Sequence, residues 1–254
     1  MSARTDLTTD PDILADLLEV RRGTAFLSRK VNEIRDKDLV NPSLLKGWSR
    51  AHVIAHVGYN ARALCRLATW ANTGEECPMY ASSDARTNEI RRGSTLQPHA
   101  LRHLYDHSAI SLNVEWRDTP DSAWSATVRT ATGRSVPFSE TLWMRLREVW
   151  IHAVDLNNGA LWSDIPVPIS QRLLEDVLQL WRRRDGDDRY ILRDSAENVW
   201  PSGHSRNERS IVIQGDLPDL LAWTLGRISN DRLSHLEAFS HIGHVEVPKA
   251  PRWI

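Results

Sequence analysis

Ser139-Glu-Thr-Leu-Trp-Met-Arg-Leu-Arg-Glu148-Val-Trp-Ile-His152-Ala-Val-Asp155 is one long helical pattern that carries a carboxylate and an imidazole four positions apart. With a rise of about 1.5 Å per residue and about 3.6 residues per turn, Glu148 and His152 stand one above the other on a single face. A helix presents two ligands to one cation in this way. Leu142, Leu146, Val149, Trp150, Ala153 and Leu156 recur at three-and-four spacing, the apolar stripe of a buried helix. Ser139 is expected as its N-cap and Asn157-Asn158-Gly159 as its stop.

A catalytic zinc commonly takes three protein ligands and keeps one position open, so a third donor must come from elsewhere. Ser49-Arg-Ala-His52-Val-Ile-Ala-His56-Val-Gly-Tyr-Asn60 again sets two histidines four apart in an apolar helical pattern. Either His52 or His56 can complete a His-His-Glu set, and spacing does not choose between them.

The rest of the first part reads as helices around these two. Residues 11–35 form an amphipathic helix, and Ser49 caps a second that ends at Thr73-Gly74. A short helix follows over Ser82 to Ile90. A third long one spans Pro98 to Arg117, with Leu101, Leu104, His107, Ile110 and Leu112 toward its inner face. Ala126 to Phe138 alternates and turns at Thr132-Gly133, which predicts a hairpin. Four long helices with one decorated connection make a bundle, and bundles place metal sites on facing helices.

After Gly159 the pattern changes. Pro166 and Pro168 open a helix ending near Arg184, Tyr190–Arg193 and Arg209–Ile213 read as short strands, and Asp216 to Leu225 as a helix with Pro218 in its first turn. The polar stretch Ser195 to Arg209 reads as a loop. The expected organisation is a helical bundle over 1–164 and a small α+β domain over 165–254, an α+β protein that is mainly α.

With 254 residues the chain can bury a sizeable core, and 32 Lys and Arg against 33 Asp and Glu give a formal net charge of -1. Nothing in that balance favours nucleic acid or an anionic membrane, so a small-molecule partner is expected. The polar start Met1-Ser-Ala-Arg-Thr-Asp lacks the apolar core of a signal peptide, and no run of 18 apolar residues occurs. A cytoplasmic monomer is the expectation. Cys65 and Cys77 are too few for a disulfide framework; Cys65 reads as core and Cys77, beside Pro78, as loop.

Three strings together are similar to a known family. Ser43-Leu-Leu-Lys-Gly-Trp-Ser-Arg-Ala-His-Val-Ile-Ala-His-Val-Gly-Tyr-Asn60, Trp70-Ala-Asn-Thr-Gly-Glu-Glu-Cys-Pro-Met-Tyr80 and Glu140 to Asp155 resemble the mycothiol-dependent maleylpyruvate isomerases, with Leu225-Gly226-Arg227 and Pro248 to Trp253 a looser match. The resemblance implies a DinB-like four-helix bundle followed by a small α+β domain. It implies a divalent metal, usually zinc, on His56, Glu148 and His152, so His56 is chosen over His52. It also implies a functional arginine at Arg227, catalytic or holding substrate or thiol, and another binding arginine at Arg86. The implied reaction is the cis-trans isomerisation of maleylpyruvate to fumarylpyruvate in gentisate-linked aromatic degradation, with mycothiol as thiol cofactor.

The chemistry of such a reaction is arguable from the groups. Rotating a cis double bond conjugated to a carbonyl requires making it transiently single, which a thiolate does by adding to the alkene. Neither cysteine of the chain is well placed to be that thiolate, so a thiol cofactor must bring it. A zinc with an open position acidifies a bound thiol, and an arginine fork suits planar anions. Asp155 is a candidate partner for an imidazole N–H. Rival readings are a mycothiol-dependent S-transferase of the same fold acting on another electrophile, a zinc hydrolase, and a metal-free binding protein.

Overall fold

The computed structural model describes residues 5–185, 189–201 and 209–253. Contacts divide the chain into two units, Met1–Ala160 and Leu161–Ile254. In the first, α1 (Pro11–Glu33) starts where the Asp10 side chain accepts the amides of Asp12 and Ile13 at 2.9 and 3.3 Å, with Pro11 in the first turn. Then come α2 (Arg50–Thr73), α3 (Ser83–Gly93), α4 (Pro98–Arg117), the hairpin β1 (Thr127–Arg129) and β2 (Ser135–Pro137), and α5 (Glu140–Asp155). The hairpin pairs antiparallel, Val128 opposite Val136, as the alternation predicts. The four long helices pair as α1 with α5 and α2 with α4.

The close approach of α1 to α5 depends on a missing side chain. A Cβ on Gly23 would stand 2.7 Å from Val149 Cγ2 and 2.8 Å from Trp150 Nε1, inside van der Waals contact.

Three expectations need correction. Ser139 holds the N-cap position but makes no capping bond, because its backbone (φ -54, ψ -30) is already helical while a cap needs an extended residue; Thr141 Oγ1 instead donates to the Phe138 carbonyl at 2.6 Å. On α4 the buried face is Leu101, Leu104, Tyr105, Ser108, Leu112 and Trp116, and His107 and Ile110 are exposed, Ile110 by 64%. At about 100° per residue, positions 107 and 110 lie well round the helix from the 101–105–108–112 stripe. The third correction falls in the second unit.

That unit holds α6 (Val167–Asp185) and a five-stranded sheet of β3 (Tyr190–Asp194), β4 (Val199–Pro201), β5 (Ile211–Gly215), β6 (Glu237–Ser240) and β7 (Gly243–Val245), in the order β4-β3-β5-β6-β7. Between β5 and β6 lie α7 (Leu217–Thr224) and the short α8 (Asn230–Leu233). β3 and β5 run parallel, Leu192 opposite Ile213, and the other pairs are antiparallel. Trp181 from α6, Tyr190 from β3 and Trp223 from α7 meet edge to face with centroids 5.4–5.9 Å apart, and these aromatics anchor the core. The 195–209 stretch is not all loop: Val199–Pro201 pairs with β3 and buries Trp200 to 6% exposure, while 202–208 fall outside the described residues.

Candidate metal centre

Two helix positions decide where the first histidine points. At the start of α2, the Ser49 hydroxyl accepts the His52 amide at 3.4 Å, and His52 Nδ1 lies 2.8 Å from Ser49 Oγ and 3.3 Å from Ser49 N. His52 is therefore spent closing a reciprocal cap. One turn on, His56 is 5% exposed and faces α5, with the Trp48 ring edge-on at 5.5 Å.

His56, Glu148 and His152 converge. Glu148 Oε2 is 2.8 Å from His56 Nε2 and 3.2 Å from His152 Nε2, and the three ligand atoms lie within 4.8 Å of one another. Glu148 Oε2 is buried and takes neither imidazole in good hydrogen-bond geometry. Ligands at about 2.0–2.1 Å around a tetrahedral zinc stand roughly 3.3 Å apart, so the donors are spaced as a shared cation requires. Two imidazoles and one carboxylate, with Glu148 the most open at 24% side-chain exposure, could hold such an ion and leave a position free.

The surroundings tune each donor. Burial would raise the Glu148 carboxyl, but the two imidazoles outweigh it and hold Glu148 well below the ordinary carboxylate range. Burial lowers His56, and Glu148 only partly offsets this. For His152 burial also works against the charged form, yet Asp155 and Glu148 carry it up to about 9. Asp155, fully buried, lies with Oδ2 2.9 Å from His152 Nδ1, which turns Nε2 toward Glu148. Asp155 is also fixed at its backbone, whose carbonyl accepts the Leu44 amide at 2.9 Å.

The two arginines named from the sequence fall in different units. Arg86, half-buried on α3, carries its guanidinium 5.9 Å from the Tyr80 ring centroid, and its charge helps to lower His56. Arg66 on α2 stands 5.7 Å from the same ring and donates from Nε to the Met79 carbonyl at 2.8 Å. Arg227 belongs to the second unit. It follows Gly226 (φ 70), donates its amide to Ala222 O at 2.8 Å and sets its guanidinium 5.5 Å from the Trp253 ring centroid.

One residue of this region was missed. Arg145 is 1% exposed; Nη1 donates to Val57 O at 2.7 Å and to Asn60 Oδ1 at 2.9 Å, and Nη2 is buried with no hydrogen-bond partner among the described residues. The signal was there. Thr141, Arg145, Glu148, His152 and Asp155 follow at steps of four, three, four and three, a polar seam along the inner face of α5.

The model of the mycothiol maleylpyruvate isomerase N-terminal domain matches residues 20–157. No curated protein matches the chain. A crystal structure of the mycothiol-dependent maleylpyruvate isomerase is 43% identical over 98% of this chain and 100% of that one, with a TM-score of 0.87. A second crystal structure, of a histidine-to-alanine mutant of that enzyme, matches with the same values. The chain belongs to the family of mycothiol-dependent maleylpyruvate isomerases.

Proposed function

We propose that the chain isomerises maleylpyruvate to fumarylpyruvate with mycothiol as its thiol and zinc on His56, Glu148 and His152. The observation that carries this reading is the convergence of those three donor atoms within 4.8 Å. Two nitrogens and one oxygen suit zinc, which when bound supplies an open position where a thiol loses its proton at neutral pH.

The chain's own groups do the rest. Glu148, kept ionised, and His56, kept neutral by burial, are ready to act as ligands, while Asp155 fixes His152 by its other nitrogen. Burial pushes the Cys65 thiol up to about 11, so this side chain is no source of thiolate, and the nucleophile comes from a bound thiol. Burial pushes the Tyr80 phenol up to about 12, which leaves it a hydrogen-bond donor beside Arg86. In this reading Arg86 and Arg227 hold the carboxylates of substrate or thiol, and Arg227 also steadies the charge that develops on the substrate oxygen.

The test is the ultraviolet change of maleylpyruvate with zinc-loaded protein, with and without mycothiol. Isomerisation only when mycothiol is present supports the reading. Absence of turnover under those conditions, with thiol consumed by another electrophile instead, makes the chain an S-transferase. Equal turnover with glutathione removes mycothiol from the proposal. His56→Ala is expected to lose metal and activity together.

A further inference from the structure

The solvent face of α4 repeats one residue type at helical spacing. His99, His103 and His107 are each four apart, all three are exposed, and they point away from the face that builds the bundle core. Burial does not account for them, and none belongs to the trio on α2 and α5.

Two of them are already paired in space. The His103 and His107 rings have centroids 5.6 Å apart and planes inclined by only 24°. Positions i and i+4 on a helix bring side chains together in this way, and small rotations about their side-chain bonds let two ring nitrogens close on one ion. The distal side of this pair is further defined by Ser111, one turn on, whose Oγ lies 3.5 Å from His107 Nδ1 and leaves Nε2 of that ring pointing outward.

We propose that His103 and His107 form a second metal site, separate from the trio, that chelates a borderline transition ion such as Cu(II), Ni(II) or Zn(II). Imidazole favours these ions, whereas Mg(II) and Ca(II) prefer a shell of several oxygen donors and bind a pair of imidazoles poorly. Two protein ligands leave several coordination positions to water, so the site is weaker than the buried trio and exchanges with solvent. His99 shares the face, but the ring contact belongs to 103 and 107, and His103 serves one partner at a time.

Equilibrium dialysis of the full chain against Ni(II) tests this. The wild type is expected to hold an equivalent that His103→Gln and His107→Gln each lose or bind at least tenfold more weakly, with unchanged circular dichroism because both positions are exposed. His56→Ala keeps that equivalent, His99→Gln changes its affinity by less than about threefold, and Mg(II) does not compete. Retention of full Ni(II) binding by His107→Gln overturns the proposal. So does loss of the equivalent in His56→Ala, which would assign it to the buried trio.

Discussion

His152 Nδ1 lies 2.9 Å from Asp155 Oδ2, one turn further along α5, and neither side chain has more than a tenth of its surface in solvent. A carboxylate on the far nitrogen fixes the tautomer and raises the basicity of the near one. Asp155→Asn keeps the size and removes the charge, and it is expected to weaken zinc binding roughly 10–100-fold. Competition with a chelator measures this. An unchanged affinity would reduce Asp155 to a packing residue.

Arg145 bears on stability as well as on the site. A buried guanidinium with one nitrogen unpartnered is costly, but replacing it by an apolar side chain strips a donor from Val57 O and from the buried Asn60 Oδ1, and removing one partner of a buried polar pair is destabilising. Arg145→Met is therefore expected to melt below the wild-type temperature. Because Arg145 ties α5 to Val57 and Asn60, next along α2 from His56, the same variant is expected to lose at least tenfold in kcat/KM. A lower melting temperature with intact turnover would mean that the residue serves the core alone.

Cys65 gives the pH dependence. Its folded value, about 11, lies above an ordinary 9.0 because burial disfavours the thiolate. An acid raised in this way stabilises the fold below pH 9, and that contribution, about 3 kcal/mol at most, is lost as pH rises toward 11. Denaturant midpoints measured from pH 8 to 11 are expected to fall, and less so in Cys65→Ala. At pH 8.5 an alkylating reagent should label Cys65 slowly, and faster as pH rises toward 11, as mass spectrometry would read; rapid labelling of Cys65 at pH 8.5 would contradict the raised value.

Gly23→Ala sets two effects against each other. Alanine gains up to about 1 kcal/mol of helix propensity over glycine, while crowding against Val149 and Trp150 costs about 1–3 kcal/mol. Crowding wins, so the denaturant midpoint drops. A midpoint at or above wild type would show that α1 and α5 separate easily.

Much of this was legible in the residues because helical spacing is a local property. Glu148 and His152 are one turn apart on any helix, and the apolar stripe of α5 fixes which way they face. His52 and His56 could not be separated by spacing, since the difference is a cap that only Ser49 in place reveals. The α4 face was misjudged because apolar Ile110 continues a plausible stripe, whereas Tyr105 and Ser108 complete the real one. Arg145 was passed over because a charged residue so close to Arg147 and Glu148 reads as part of the wet side of a helix. The strands β4, β6 and β7 are three or four residues long and depend on neighbours for their pairing, so no run of sequence announced them.

The three donors come from α2 and α5, with α3, α4 and the hairpin threaded between them along the chain. An ion that needs all three can be captured only once α2 has met α5, and once captured it stabilises that state by mass action. Loading thus acts as a checkpoint on assembly. A chain whose α2 has not met α5 stays empty and, lacking the acidified thiol, chemically silent.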